Sequence, residues 1–179
     1  LNNKQKIGLR YYEDLNERIP RREITTFRKK IEKAIYTKYG NDIQITIAGS
    51  YRRGVSTSGD MDMLITSQKY EHEALPRVLG ILNELGMVQE TLAKGNKKFM
   101  GIIKVGTGTG CKARHLDIVE TTYTDYPFAM LYFTGSAQHN IQMRALALKK
   151  GYSLNEYDMT LKGTRTRVPD ELVEKVIGK

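Results

Sequence analysis

The amino-acid sequence predicts an α+β domain followed by a small helical subdomain. Three observations point there: apolar residues at spacings of three and four over 24–35, strand-type segments between 43 and 120 with one helix among them, and helical patterns alone after Thr124. Taken in order, residues 8–18 (GLRYYEDLNER) read as a short helix, and Pro20 resets the chain before a second helix carrying Ile24, Phe27, Ile31 and Ile35. Gly40 ends that helix. Ile43, Ile45 and Ile47 alternate with polar residues as strand residues do, and 60–66 (DMDMLIT) reads as another strand. The helix at 71–85 runs through Leu75, Leu79, Leu82 and Leu85, and strand-like segments follow near 87–92, 98–105 and 112–120. GTGTG at 106–110 reads as a loop between two of them, since it lacks the G-x-G-x-x-G spacing of a dinucleotide site. Beyond Thr124 helices are expected at 126–133 and 136–150, the latter closed by Gly151, with a short last one from about Asp170 entered through Pro169. The boundary between the two parts falls near residue 123.

Composition removes whole classes of function. The chain has 179 residues, enough for a sizeable core, and no apolar run approaches the roughly 18 to 20 residues of a membrane span. The single cysteine, Cys111, can form no internal disulfide and matches no zinc-ligand spacing, so packing alone holds the fold and an intracellular setting is expected. Leu rather than Met stands first and no signal sequence precedes the first helix, so the chain reads as part of something longer.

The net charge of +9 is unevenly placed. Residues 1–40 carry 11 basic and 5 acidic residues, and 94–116 carry 6 basic and no acidic ones. Residues 41–93 hold 4 basic against 7 acidic, and 117–143 have 3 acidic and no basic residue. Basic segments around acidic ones fit a polyanion gripped by Lys and Arg with a few carboxylates at the centre; a generic basic surface fits the same counts.

The centre is legible. Asp60 and Asp62 stand two apart on one predicted strand, so both leave the same face with Cα atoms roughly 6 to 7 Å apart. Such a pair is either a solvated strand face or a site for divalent ions, with hard oxygen donors that suit Mg²⁺. Ahead of it lie Gly49, Ser50, Arg52, Arg53, Ser58 and Gly59, a combination of close-approach glycine, hydroxyl donors and guanidinium forks suited to phosphate. Asp117 lies on a later strand, where Leu116 and Ile118 should face the core and leave it pointing the other way. It is a third metal carboxylate or an ordinary exposed aspartate.

GSYRRGVSTSGDMDMLIT at 49–66, RHLDIV at 114–119 and LYFTGSAQHNIQMRALALKKGYSLNEY at 131–157 resemble the palm and thumb of family X DNA polymerases of the beta and lambda types. IGLRYYEDLNERIPRREI at 7–24 is similar to the beta-type lead-in to the same domain. The resemblance implies a nucleotidyltransferase-type palm, a mixed β-sheet with helices, at 21–123, preceded at 1–20 by the end of a fingers-like DNA-binding segment. A small helical thumb, shorter than the family's, would occupy 124–179.

The same resemblance implies DNA-templated addition of a deoxynucleotide to a primer 3′ hydroxyl, with short-gap filling in DNA repair. Asp60, Asp62 and Asp117 would hold two Mg²⁺ ions, Mn²⁺ being possible, with Asp117 nearest the proton of the 3′ hydroxyl. Ser50, Arg53, Ser58 and Gly59 would cradle the triphosphate, with Arg18 as an auxiliary charge. Tyr132, Phe133 and Gly135 match the turn that lies against the incoming sugar, and Asn140 the residue that reads the minor-groove edge of the new base. Arg144, Lys94 and Lys98 match template-side contacts, and His115 stands at a primer-end position where beta-type enzymes have arginine. Ala137 occurs in lambda-type members, and Ile141 replaces a beta-type lysine. The partners implied are gapped or primer–template DNA and deoxynucleoside triphosphates, with a monomeric protein, no membrane, and a nuclear or mitochondrial setting in a eukaryote. No segment resembling a deoxyribose-phosphate lyase domain is present in the sequence. Two other functions share part of the pattern: a template-independent or RNA- or small-molecule-directed nucleotidyltransferase, and a DNA-end-binding module without catalysis.

Overall fold

A capping box opens the chain: the Asn2 side chain accepts from the Gln5 amide while the Gln5 side chain accepts from the Asn2 amide, starting α1 (Asn3–Arg10). The computed structural model describes residues 1–178. Where one helix was expected over 8–18 there are two, α1 and α2 (Tyr12–Asn16), parted at Tyr11. Ile7 is the one buried residue of α1 and α2 has none, so no continuous apolar stripe holds them as a single helix.

After β1 (Ile19–Pro20) comes α3 (Arg21–Tyr39), in which Ile24, Phe27, Ile31 and Ile35 are all buried, as their spacing predicts. Gly40 caps it with φ of 61°, a conformation that glycine adopts without Cβ strain. There follow β2 (Gln44–Ile47), α4 (Gly49–Arg52), β3 (Thr57–Ser58), β4 (Met61–Thr66) and α5 (Ala74–Glu84). Then come β5 (Val88–Lys94), β6 (Lys98–Ile103) and β7 (Arg114–Glu120). Residues 106–110 form the loop expected between β6 and β7. Leu75, Leu79 and Leu82 are buried, but Leu85 lies beyond the last turn of α5 and remains 39% exposed.

Five strands make one mixed sheet in the order β2-β4-β7-β6-β5, with β4 and β7 parallel and every other neighbour antiparallel. Helices α3 and α5 cover one face, where Met61, Met63, Ile65, Phe99, Leu116 and Ile118 join their apolar stripes in the main core. Separately, β1 and β3 pair as a short ribbon, Ile19 opposite Ser58.

The chain divides into two units, Leu1–Tyr123 and the residues from Thr124 onward. The second contains α6 (Tyr126–Thr134), α7 (Ala137–Lys149), β8 (Tyr152–Leu154), β9 (Met159–Leu161) and α8 (Asp170–Ile177) around Phe128, Met143, Ala147, Leu154, Met159 and Val173. It is therefore not purely helical: β8 and β9 form an antiparallel hairpin that the helical expectation omits. Three-residue strands show no readable period, and the turn is held by the Asn155 side chain, which accepts from the Tyr157 and Asp158 amides at 2.7 and 2.9 Å. No helix among the described residues is long and apolar enough to cross a membrane.

Candidate active site

The parallel pairing of β4 and β7 sets Asp62 directly opposite Asp117. Burial alternates strictly along β7, with Leu116 and Ile118 in the core and His115 and Asp117 on the other face. Met61 and Met63 do the same for Asp62 on β4. Asp60 lies one residue ahead of β4, not on the strand as expected, and is exposed. One carboxylate oxygen from each of Asp60, Asp62 and Asp117 lies within 4.8 Å of the other two.

Three carboxylates so placed repel. Burial first, then the charges of Asp60 and Asp117, push the Asp62 carboxyl up to about 6, with Arg53 opposing. Burial and then Asp60 also raise Asp117, while His115 lowers it. The arrangement is costly without a cation, and its hard, converging oxygens are a donor set that could hold a divalent metal ion.

Gly49 explains how Asp62 fits. Its φ is +59°, and a Cβ added there would lie 2.5 Å from Asp62 Oδ2. The sequence pattern makes this glycine a point of close approach for phosphate, but the contact it permits within the chain is to the carboxylate. Next to it, Ser50 donates to the Ser58 hydroxyl at 2.7 Å, joining α4 to the buried end of β3. Arg18 donates to the Thr57 carbonyl at 2.9 Å and to the Thr57 hydroxyl at 3.2 Å. It lies along the segment that leads through exposed Gly59 to Asp60. Arg53 caps α4, exposed, with its charge felt at Asp62. Arg53 thus acts on the carboxylates, and Ser50, Ser58, Gly59 and Arg18 are linked along the segment that leads to Asp60, while Lys94 and Lys98 lie on a different turn. Both are exposed and flank the β5–β6 turn, where the Gly95 amide donates to the Lys98 carbonyl at 2.8 Å. Lys97 is exposed on the same turn, and no motif in the sequence marks it.

Two buried charges that the sequence pattern leaves unremarked anchor β7. Arg114, 3% exposed, forms a two-point ion pair with Glu23 at the start of α3, at 2.7 and 3.0 Å. Glu120, 5% exposed, accepts from the Leu75 amide at 2.6 Å, meeting the otherwise unpaired N–H groups at the start of α5. The strand bearing Asp117 is thereby tied to a helix at each end.

In the second unit, the Tyr132 and Phe133 rings meet edge to face with centroids 4.9 Å apart, both half-buried. Gly135 ends α6 at φ of 63°, its amide donating to the Tyr132 carbonyl, and the Gly135–Ser136 bond is cis. From α7, Asn140 donates to the Tyr132 carbonyl at 2.8 Å and Arg144 lies 5.1 Å over the Tyr132 ring. Asn140 Oδ1 is buried with no hydrogen-bond partner among the described residues. Tyr132, Asn140 and Arg144 therefore form one group on the wall of a small cavity that also touches Leu131 and Asn155.

Comparison with known proteins gives the same division. A family model described as DNA polymerase beta palm matches residues 18–123, and one described as DNA polymerase beta thumb matches residues 129–174. The chain is 34% identical over 163 residues to DNA polymerase lambda of Rattus norvegicus, covering 87% of this chain and 28% of that protein. With DNA polymerase lambda of Arabidopsis thaliana it is 28% identical over 171 residues, covering 87% and 31%. With DNA nucleotidylexotransferase of Xenopus laevis it is 30% identical over 178 residues, covering 80% and 35%. The chain thus spans about a third or less of the length of these relatives. With the palm match covering more than half of its residues and the thumb match following in order, the chain belongs to the family X, or DNA polymerase beta-type, polymerases.

Proposed function

We propose that this chain is the catalytic portion of a DNA polymerase that fills short gaps, adding a deoxynucleotide to a primer 3′ hydroxyl opposite a template base. The observation that carries the proposal is the convergence of Asp60, Asp62 and Asp117 within 4.8 Å, Asp62 and Asp117 from two adjacent parallel strands and Asp60 from the residue just ahead of the first. Bound to these oxygens, two magnesium ions would supply Lewis-acid activation of the hydroxyl and neutralisation of the phosphates. Asp117, with its raised carboxyl, is the base for the proton of the 3′ hydroxyl. Ser50, Ser58, Gly59, Arg53 and Arg18 hold the triphosphate through hydroxyl, amide and guanidinium donors. Tyr132, Phe133, Gly135 and Asn140 select the sugar and base, and Lys94, Lys98, His115 and Arg144 hold the DNA. Phosphate contacts of that kind position the duplex without reading its sequence.

Primer extension on a one-nucleotide gap with Mg²⁺ tests the proposal. Asp117→Asn lowers the rate on the order of 10³-fold while gapped DNA still binds. Unchanged extension by that variant overturns the assignment. A second reading, template-independent addition, draws support from the similarity to a DNA nucleotidylexotransferase. The same assay on single-stranded primer separates the two: extension there equal to extension on the gap favours the second.

A further inference from the structure

A long groove lies along one face of α3, between that helix, the end of α5 and the loop around Val105, with no aspartate of the triad on its walls. It consists of two adjoining hollows of about 740 and 390 Å³ that share Lys30, Val105 and Gly106. Its floor is aliphatic: Ile81, Met87 and Val105 are buried beneath it and Leu85 remains 39% exposed at its edge. The wall is cationic. Arg22, Lys30 and Lys33 line it with no carboxylate partner among the described residues, Lys30 spending one hydrogen on the Val105 carbonyl at 3.1 Å. The two carboxylates present are already engaged, Glu84 with Lys38 at 2.8 Å and Glu23 with Arg114 at 2.7 Å.

We infer that this groove docks an acidic segment of a partner protein whose carboxylates alternate with aliphatic side chains. The cations supply the complementary charge and the aliphatic floor supplies burial that a phosphate backbone cannot use. Among the described residues no aromatic side chain lines either hollow, so the lining offers no stacking platform of the kind on which single-stranded nucleic acid relies. From Arg22 to Lys38 the helix is roughly 24 Å long at 1.5 Å per residue, which matches about seven residues of extended peptide. In an extended strand alternate side chains leave opposite sides, so one set reaches the floor while the other meets the lysines.

The test is fluorescence anisotropy in EDTA, where no nucleotide transfer can occur, using a labelled eight-residue peptide that alternates Leu and Glu. The full chain binds it, and Lys30→Glu/Lys33→Glu weakens binding at least tenfold. Leu85→Asp, at an exposed position, also weakens it at least fivefold. Lys4→Glu/Lys149→Glu, with the same charge change elsewhere, keeps affinity within twofold. A peptide alternating Leu and Lys does not bind. The inference is overturned if the acidic peptide fails to bind, or if the groove variants bind it as the parent does. It is equally overturned if a twelve-residue oligo(dT) displaces the peptide while Leu85→Asp leaves peptide affinity unchanged, for the groove is then a nucleic-acid surface.

Discussion

In the metal-free protein, Asp62→Asn raises stability at pH 7.5 and loses that effect near pH 4. Asp62 faces Asp117 across the parallel β4–β7 pair, and both share their space with Asp60 within 4.8 Å. Two unit charges at that upper limit of separation repel by about 0.9 kcal/mol in water and about 3.5 kcal/mol at an effective dielectric of 20, and closer ones by more. Burial adds to the repulsion, and the Asp62 carboxyl rises from 3.8 to about 6. The folded state therefore holds the Asp62 proton over a range where the unfolded chain has released it. Stability is complete below the unfolded value of 3.8 and falls as pH rises through about 6. Well above pH 6 the full penalty for ionised Asp62 is about 3 kcal/mol, fading to well under 1 kcal/mol at pH 4. Asparagine keeps the shape and removes the charge. Urea denaturation in EDTA across pH 4 to 8 gives the difference directly, and saturating Mg²⁺ should reverse its sign. Equal or lower stability of Asp62→Asn at pH 7.5 in EDTA would show that the three carboxylates do not repel in the folded chain.

Three further outcomes follow from neighbouring features. Gly49→Ala places a side chain in a left-handed conformation, at about 1 kcal/mol, and drives its Cβ toward Asp62 Oδ2; Mn²⁺ affinity by calorimetry should fall at least tenfold. Arg114→Met leaves Glu23 without its partner in a partly buried position, and urea denaturation should show a loss of about 3 kcal/mol, partly restored in Glu23→Gln/Arg114→Met. Phe27→Ala empties a fully buried position on α3 and should cost about 3 to 5 kcal/mol by the same measurement, with the lower bound if α5 closes over the space.

Much of the site could be read from the chain because face is a local property. Strict alternation around Asp117 assigns it to the side opposite Leu116 and Ile118, and the spacing of Ile24, Phe27, Ile31 and Ile35 assigns the inner stripe of α3. Short segments carry too few residues for a period, which is why the break at Tyr11 and the β8–β9 hairpin leave no signal in the sequence. Arg114 and Glu120 alternate into the buried face like apolar residues, and nothing local distinguishes a charge that has a distant partner from one that faces water.

By itself, then, the sequence determined which residues turn inward, where the two units divide in composition and pattern, and which carboxylates, hydroxyls and cations are available for phosphate chemistry. Only the tertiary structure decided that Asp62 stands beside Asp117, that Gly49 makes room for it, and that cations of α3 border an aliphatic groove. The physical reason is that helix and strand periods are written in neighbouring residues, whereas strand register depends on contacts between segments with α5, β5 and β6 between them.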